Sequence, residues 1–366
     1  MQIVKLKLVN FRNYKTLNLS FSKKRNIFYG ENGSGKTNIL ESIYVLSLTK
    51  SFRTINDKVL ITSGEKKLKI EGEIKENNNK KYYLELSEEG KKVKINKTKI
   101  IKLSEYISNI NVVLFSPDDF RIIKDSPSVR RKILNVDIIQ FDKEYLILLN
   151  KYNKLLKQRN SYLRTMYINN LADEEYLNIL TNNLIELGLK IYQKRKIFLE
   201  NINNYVATKF LKITKIADLK IEYISEYRCN DKNKLKKRYS QYFSKELALG
   251  KTIFGVHHDD YKFILKKQNI KDYGSEGQQK NAIIAYKLSL IEVFKNIENK
   301  TPILLLDDLF SELDNKKINN IINLLKKRVQ VFITTTDVDK INKKLLQDSK
   351  IFKVKNGKVE EIQNET

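Results

Sequence analysis

Three short segments carry residue types and spacings that could do chemistry. Gly30-Glu31-Asn32-Gly33-Ser34-Gly35-Lys36-Thr37 fits the pattern G-x-x-x-x-G-K-[ST]. It follows the apolar strand-like NIFYG and opens a helix at Asn38. In that context the glycines let backbone N–H groups turn inward around phosphates, and the helix start adds positive potential. Lys36 is placed to reach β- and γ-phosphates, and Thr37 to offer its hydroxyl to Mg²⁺. Asp307 closes the apolar run ILLLD and is the expected Mg²⁺ partner, directly or through water. Asp308 follows where many ATPases of this kind carry a glutamate that polarises the attacking water. Its side chain is one methylene shorter, which predicts slow hydrolysis; the alternative is that Asp308 only caps the next element. The third segment, Gly274 to Lys280 (GSEGQQK), precedes a helix by small, anion-compatible residues. One chain needs one loop for its own phosphates, so a second such turn makes most sense serving a nucleotide on another copy.

The elements that must position these segments can be placed coarsely. QIVKLKLVNF, NIFYG, LKIEGEI and KYYLELS read as strands, and KKVKINKTKI closes a hairpin around Glu89-Gly90. Asn38 to Leu48 reads as a helix. Pro117 and Pro127 bracket the turn-rich SPDDFRIIKDSPS. From Ser128 to about Lys209 there is no proline and one glycine, Gly188. Two apolar stripes, Tyr145 to Met166 and Leu177 to Tyr205, recur at helical spacing around a loop near 169–173. This predicts an antiparallel hairpin or short bundle of two helices, each about 25–30 residues and ~40 Å long. LKIEYISEYR reads as a strand, Asp231 to Leu249 as a basic helix, and FGVHHDDYKFIL as strand again. A helix from Gly277 to Lys295, a strand Ile303–Leu306, a helix from Lys316 to Lys327 and a strand Val329–Thr334 complete a βα pattern. The expected architecture is α/β: a discontinuous nucleotide-binding head, 1–116 and 250–366, interrupted by a mainly helical arm with a short β element, 117–249. His257-His258-Asp259-Asp260 could suggest a metal site, but adjacent histidines on a strand point apart, and no further ligand cluster is visible.

Composition limits the partners. The chain has 366 residues and a formal charge of +27. A polyanion partner would explain that charge, since Lys and Arg neutralise phosphates and release counterions. A Lys-, Asn- and Ile-rich composition throughout explains it as well, and RNA or a membrane surface would fit equally. No apolar run approaches the ~18–20 residues of a membrane helix. The start, MQIVKLKLVNFRNYK, lacks a signal-peptide core, and one cysteine, Cys229, rules out an internal disulfide. A cytoplasmic protein is the simplest expectation.

Taken together, the phosphate loop, helical insertion, glycine-rich turn and DD-x-x-S-E-L-D resemble the ABC-type ATPase heads of the SMC class. LVNFRNYKTLNLSF, SPDDFRIIKDSPSVRRKIL and GVHHDD narrow the resemblance to the RecF family of recombinational-repair ATPases. The resemblance implies that Gly30–Thr37, with Asn38, hold ATP and Mg²⁺, and that Arg53 lies near the nucleotide. It implies that Ser275, Gly277 and Gln278 meet the γ-phosphate of ATP on a partner subunit. Ser311 to Asp314 would cross the dimer interface. Thr334–Thr336, centred on Thr335, would stand where many ABC proteins carry a histidine. Arg130 and Arg131 would root the arm. It further implies an ATP-dependent homodimer and a weak, DNA-stimulated ATPase. Its DNA would be duplex beside single-stranded gaps, bound without sequence specificity. It would act with RecR, and indirectly with RecO and RecA, in RecA loading and SOS induction. Departures from the family pattern are Asp125, Ile133, Asn135, Val256 and His258. The competing expectations are an ATPase subunit of a transporter or ribosome-associated factor, and an SMC-type nuclease head. The last would want a long coiled coil and a zinc-hook cysteine motif.

Overall fold

The computed structural model describes residues 1–76, 78–169, 174–297, 299–309, 329–338, 341 and 346–362. The chain divides into two compact units, Met1–Phe120 with Lys287–Thr366, and Arg121–Tyr286. The second boundary therefore lies later than the expected residue 250.

The first unit opens with β1 (Gln2–Phe11), β2 (Tyr14–Ser20), β3 (Arg25–Tyr29) and α1 (Lys36–Leu48). It continues through β4 (Lys67–Lys75), β5 (Asn79–Ser87), β6 (Gly90–Ile95), β7 (Thr98–Ile100), α2 (Leu103–Tyr106) and β8 (Val112–Phe115). One sheet has the order β2-β1-β4-β5-β6-β7 and is antiparallel throughout. Its strands bury alternate residues, as in β5, where Tyr82, Leu84 and Leu86 point inward. In β1 the buried Ile3 and Leu6 are three apart because the register shifts between Ile3 and Lys5.

The second unit holds α3 (Pro127–Phe141), α4 (Lys143–Asn169), α5 (Glu174–Thr214), β9 (Leu219–Ile224) and α6 (Lys232–Leu249). Then come β10 (Asp260–Leu265), β11 (Gln268–Asn269), α7 (Ile270–Tyr273) and α8 (Glu276–Ile297), which runs on past the unit boundary. Pro127 starts α3 at the position where a missing N–H costs nothing. Helices α4 and α5 run antiparallel, since Tyr145 meets Arg195, Arg159 meets Thr181, and Leu163 and Met166 pack on Leu177. At 41 residues α5 is longer than expected, about 60 Å. Its buried stripe continues past Tyr205 through Val206 and Phe210, with no breaker until Thr214. Gly188 sits where an added Cβ would lie 2.5 Å from the Tyr227 ring, so a side chain there would expel that ring from α5. Residues beyond 250 belong to this unit because β10 pairs antiparallel with β9 along its whole length, from Asp260↔Ile224 to Leu265↔Leu219. The two histidines also differ from expectation. Val256–His258 form a 3₁₀ turn instead of a strand, and the two rings stand 4.3 Å apart.

The chain returns to the first unit with β12 (Ile303–Leu306), β13 (Val331–Thr335), β14 (Ser349–Lys355) and β15 (Lys358–Ile362). They enter a second six-stranded sheet, β15-β14-β3-β13-β12-β8. Five of its strands are parallel, and only β15 pairs antiparallel. Accordingly β8 and β12 are buried at every residue and read as unbroken apolar runs. The expected helix from Lys316 to Lys327 and the loop near 169–173 lie outside the described residues, apart from the backbone of Asn169. Among the described residues no helix is long and apolar enough to cross a membrane.

Candidate functional site

The phosphate loop links β3 to α1 at the carboxyl edge of the parallel sheet, where open α/β sheets place their ligands. Its shape depends on Gly35, at φ +115°; an added Cβ would fall 2.6 Å from both Asn13 Nδ2 and the Tyr14 hydroxyl. Those two residues, in the turn and start of the second strand, brace the loop. Asn13 Nδ2 donates to Ser34 O at 3.3 Å, and Tyr14 OH to Gly35 O at 3.1 Å. Gly357 N also donates to Ser34 O, at 3.1 Å. The bracing residues were missed in the sequence, although NFRNY runs from the end of β1 into the first residue of β2.

Lys36 is 7% exposed, and its Nζ donates to Gly30 O and Glu31 O, both at 2.8 Å. Burial lowers its pKa, and the nearby Asp308 and Asp307 carboxylates oppose that shift. Thr37 Oγ1 donates to Asp307 Oδ1 at 2.8 Å, which joins the loop to a strand 270 positions away. Thr334 Oγ1 donates to the same oxygen at 2.8 Å and accepts from Asp308 N at 2.9 Å. Asp308 adopts φ +47°, a left-handed conformation that Asp tolerates better than most residues. Burial raises the Asp307 pKa, while its two hydroxyl donors pull it down. Thr335 is buried, but its hydroxyl donates to Asp337 O at 2.9 Å. The threonine that reaches the acidic strand is therefore Thr334.

A cavity of about 210 Å³ opens over the loop, lined by Asn32, Gly33, Gly35, Lys36, Thr37, Asn38, Arg53 and Asp308. Arg53 reaches it from the segment after α1, with Nη1 donating to Asn38 Oδ1 at 2.9 Å. Asn38 Nδ2 in turn donates to Asn13 Oδ1 at 2.8 Å. The fit of this site to a nucleoside triphosphate with Mg²⁺ can be tested on its own atoms. The buried Ser34 Oγ has no hydrogen-bond partner among the described residues. Among the described residues the buried Lys36 ammonium hydrogen-bonds only to carbonyl oxygens, and the Asp307 carboxylate accepts only from neutral hydroxyls. An anion on the lysine and a cation on the aspartate are the groups that such an arrangement leaves wanting.

The second glycine-containing turn lies in the other unit. Ser275 N donates to Gln278 Oε1 at 2.9 Å, and Gln278 N to Ser275 Oγ at 3.3 Å. This is a reciprocal capping box at the start of α8. Gln279 Nε2 ties back to Gly274 O at 3.1 Å. Ser275 and Gly277 are exposed, and a Cβ on Gly277 would meet nothing closer than Ser275 Oγ at 4.0 Å. Ser311 and Asp314 lie outside the described residues.

In the second unit Arg130 and Arg195 meet carboxylates and Arg131 a backbone carbonyl. Arg130 forms a two-point pair with Asp260, at 2.7 and 2.9 Å. Arg131 Nη1 donates to Asp259 O at 2.8 Å. The buried Arg195 reaches Asp259 Oδ2 at 2.8 Å, Tyr145 OH at 2.9 Å and Asn135 Oδ1 at 3.1 Å. Asn135 thus accepts where the family pattern has an acid, while His258, in place of an arginine, is exposed. His257 has both ring nitrogens occupied, Nδ1 by Tyr152 OH at 2.7 Å and Nε2 by Thr252 O at 3.2 Å.

Comparison with known proteins places this geometry in a lineage. A family model described as RecF/RecN/SMC N terminal domain matches residues 2–123. The chain is 38% identical over 370 residues to the DNA replication and repair protein RecF of Ligilactobacillus salivarius, covering 99% of this chain and 98% of that protein. It is 40% identical over 369 residues to the RecF of Bacillus cereus, with 98% of each covered. The structure of the recombination mediator protein RecF-ATP in the RecFOR pathway superposes with a TM-score of 0.90 at 31% identity, covering 99% of this chain and 98% of that one. An Smc head bound to the C-winged helix domain of ScpA superposes with a TM-score of 0.55 at 18% identity, over 99% of this chain and 98% of that one, a likeness of fold alone. With an SMC-head-like ATPase fold and relatives of this identity over nearly its whole length, the chain belongs to the RecF family of DNA replication and repair proteins.

Proposed function

We propose that the chain is an ATP-gated DNA-binding protein of recombinational repair, in which ATP joins two copies and the joined pair grips DNA. The observation that carries this reading is the Thr37–Asp307 hydrogen bond, which gathers the phosphate loop and acidic strand into one half-site. An exposed Ser275–Gly277 turn elsewhere in the chain is the matching half, offered to a second copy. Gly30 to Thr37, Asn38 and Arg53 would hold the triphosphate. Thr37 and Asp307 would hold Mg²⁺, which supplies charge neutralisation at the phosphates. Asp308 is the carboxylate that accepts a proton from the attacking water, and its short reach makes turnover slow. The turn around Ser275, Gly277 and Gln278 would receive the partner's γ-phosphate at the start of α8. Thr335 would support the site from behind Thr334. A charge of +27 supports a polyanion partner held through phosphate contacts, hence without base specificity. Duplex DNA flanking a single-stranded gap, with RecR as direct partner and RecO and RecA further along, fits the RecFOR setting of the structural relatives.

The test is sedimentation with and without ATP and Mg²⁺, followed by titration of duplex, single-stranded and gapped DNA at two salt concentrations. ATP should convert monomer to dimer and tighten DNA binding, and salt should weaken it steeply. Ser275→Arg should bind ATP normally yet stay monomeric, because the clash arises only in trans. Normal ATP-induced dimers in that variant would overturn the sandwich arrangement.

A further inference from the structure

Arg53 reaches the nucleotide cavity from an irregular segment, and something must hold it there. The segment is fastened to α1 by one buried carboxylate. Glu41 is fully buried, and its Oε1 accepts from Ser51 Oγ at 2.5 Å. The same Ser51 oxygen accepts from Arg53 N at 2.9 Å and Thr54 N at 3.1 Å. One hydroxyl thus fixes the backbone on which Arg53 is mounted. Glu41 Oε2 also stands 3.5 Å from Arg53 Nη1. From the other side, Arg12 clasps both Glu41 oxygens at 2.9 and 2.7 Å. Arg12 also donates from Nη1 to Val59 O at 3.1 Å, so the far end of the same segment is held as well.

Two guanidinium groups share one carboxylate here. Arg12 takes it with two-point geometry, the stronger arrangement. Arg53 is left with one long contact to Glu41 and one bond to the neutral Asn38, and its side chain is 43% exposed. Its charge is held in place and less closely paired than that of Arg12, facing the cavity that Lys36 and Thr37 also line.

We propose that Ser51 and Glu41 are positioning residues that poise Arg53 against the bound nucleotide. This rests on the reading of the cavity as an ATP site. It adds that nucleotide affinity depends on a tether lying outside the phosphate loop, which no contact with the ligand would reveal.

The experiment is a double-mutant cycle on the full chain, using a fluorescent ATP analogue with Mg²⁺. Arg53→Ala should weaken binding about ten- to thirty-fold, and Ser51→Ala about three- to ten-fold. Combined, they should bind no more weakly than Arg53→Ala alone, to within about two-fold, because the tether acts only through Arg53. Ser51→Thr keeps the hydroxyl and should restore most of the affinity. Losses that multiply in the double mutant, wild-type affinity in Ser51→Ala, or failure of Ser51→Thr to rescue would each overturn the tether. A wild-type chain that binds no ATP would instead overturn the reading of the site itself.

Discussion

The phosphate-loop cluster of the first unit and the arginine network of the second both gather charged side chains out of water, but they leave them in different states. In the second unit three buried arginines are each met by a carboxylate. Arg195 pairs with Asp259, Arg130 with Asp260, and the nearly fully buried Arg159 with Glu246 at 2.7 Å. In the first unit, among the described residues, Lys36 hydrogen-bonds only to carbonyl oxygens, Asp307 accepts only from hydroxyls through its side chain, and Ser34 Oγ has no hydrogen-bond partner. Complete pairing fixes a structure, because removing one member strands the other in low dielectric. Incomplete pairing leaves room for a ligand to finish the pattern. The residues that look most like a metal site by type, His257 to Asp260, fall on the completed side. The residues that await a partner are a lysine and a threonine–aspartate pair.

This contrast can be broken in order of expected effect. Asp259→Ala strands a buried guanidinium and should lower the stability of the second unit by about 3–5 kcal/mol in urea unfolding. A loss under about 1 kcal/mol would mean the network is not what fixes this unit. Lys36→Ala should show the opposite signature. ATP affinity should fall by roughly 2–3 kcal/mol, or about 30- to 150-fold by equilibrium titration, with the ligand-free melting temperature unchanged or raised. If this variant unfolds as easily as Asp259→Ala, the two clusters do not differ as described.

The third break is with acid. Burial, with the neighbouring His258, pushes the His257 pKa from its usual 6.5 down to about 4. The folded chain therefore holds this ring neutral while the unfolded chain protonates it. Stability from this group is fully present above about pH 6.5, falls as pH drops towards about 4, and levels off below. The loss is on the order of 2 kcal/mol, discounted for the ring's partial exposure. Stability measured from pH 7 to 4 should flatten over that interval in His257→Gln; an unchanged slope would remove His257 from the account. The smallest effect concerns reach at the open site. Asp308→Glu restores the missing methylene and should speed single-turnover ATP hydrolysis by roughly three- to ten-fold, about 1 kcal/mol. A slower variant would show that the left-handed backbone at Asp308, not its length, sets the geometry.

Much of the site was legible because its chemistry is local. The phosphate loop and the strand ending at Asp307 are contiguous motifs, and their joining followed from the need for one Mg²⁺ site. What was missed is non-local or angular. Asn13 and Tyr14 brace the loop from a turn that carries no signature of its own. The choice of Thr334 over Thr335 depends on strand phase, since neighbouring side chains on β13 face opposite ways. In the fold, the apolar run of β12 and the helical stripes were plain, whereas the four-residue β8 was not singled out. The unit boundary was not, because the segment after 250 is β-textured like the head, and only its pairing with β9 assigns it to the insertion. The length of α5 was underread for a related reason: Val206 and Phe210 continue the stripe beneath lysines and threonines that look like a fraying end.

The strand order of the parallel sheet has a consequence for synthesis. Every neighbour of β3 and β8 in that sheet, namely β13, β14 and β12, is encoded after residue 300. A chain emerging from the ribosome presents β3 and β8 with their hydrogen-bonding edges unmet, while the contiguous Arg121–Tyr286 unit is already complete. The phosphate loop is translated early, yet its anchor at Asp307 arrives only with the closing strands. Any product truncated before Ile303 carries the loop without the sheet that shapes it. The order of the strands thus makes the site conditional on complete synthesis, since the phosphate loop and Asp307 come together only in chains whose final strands have been made.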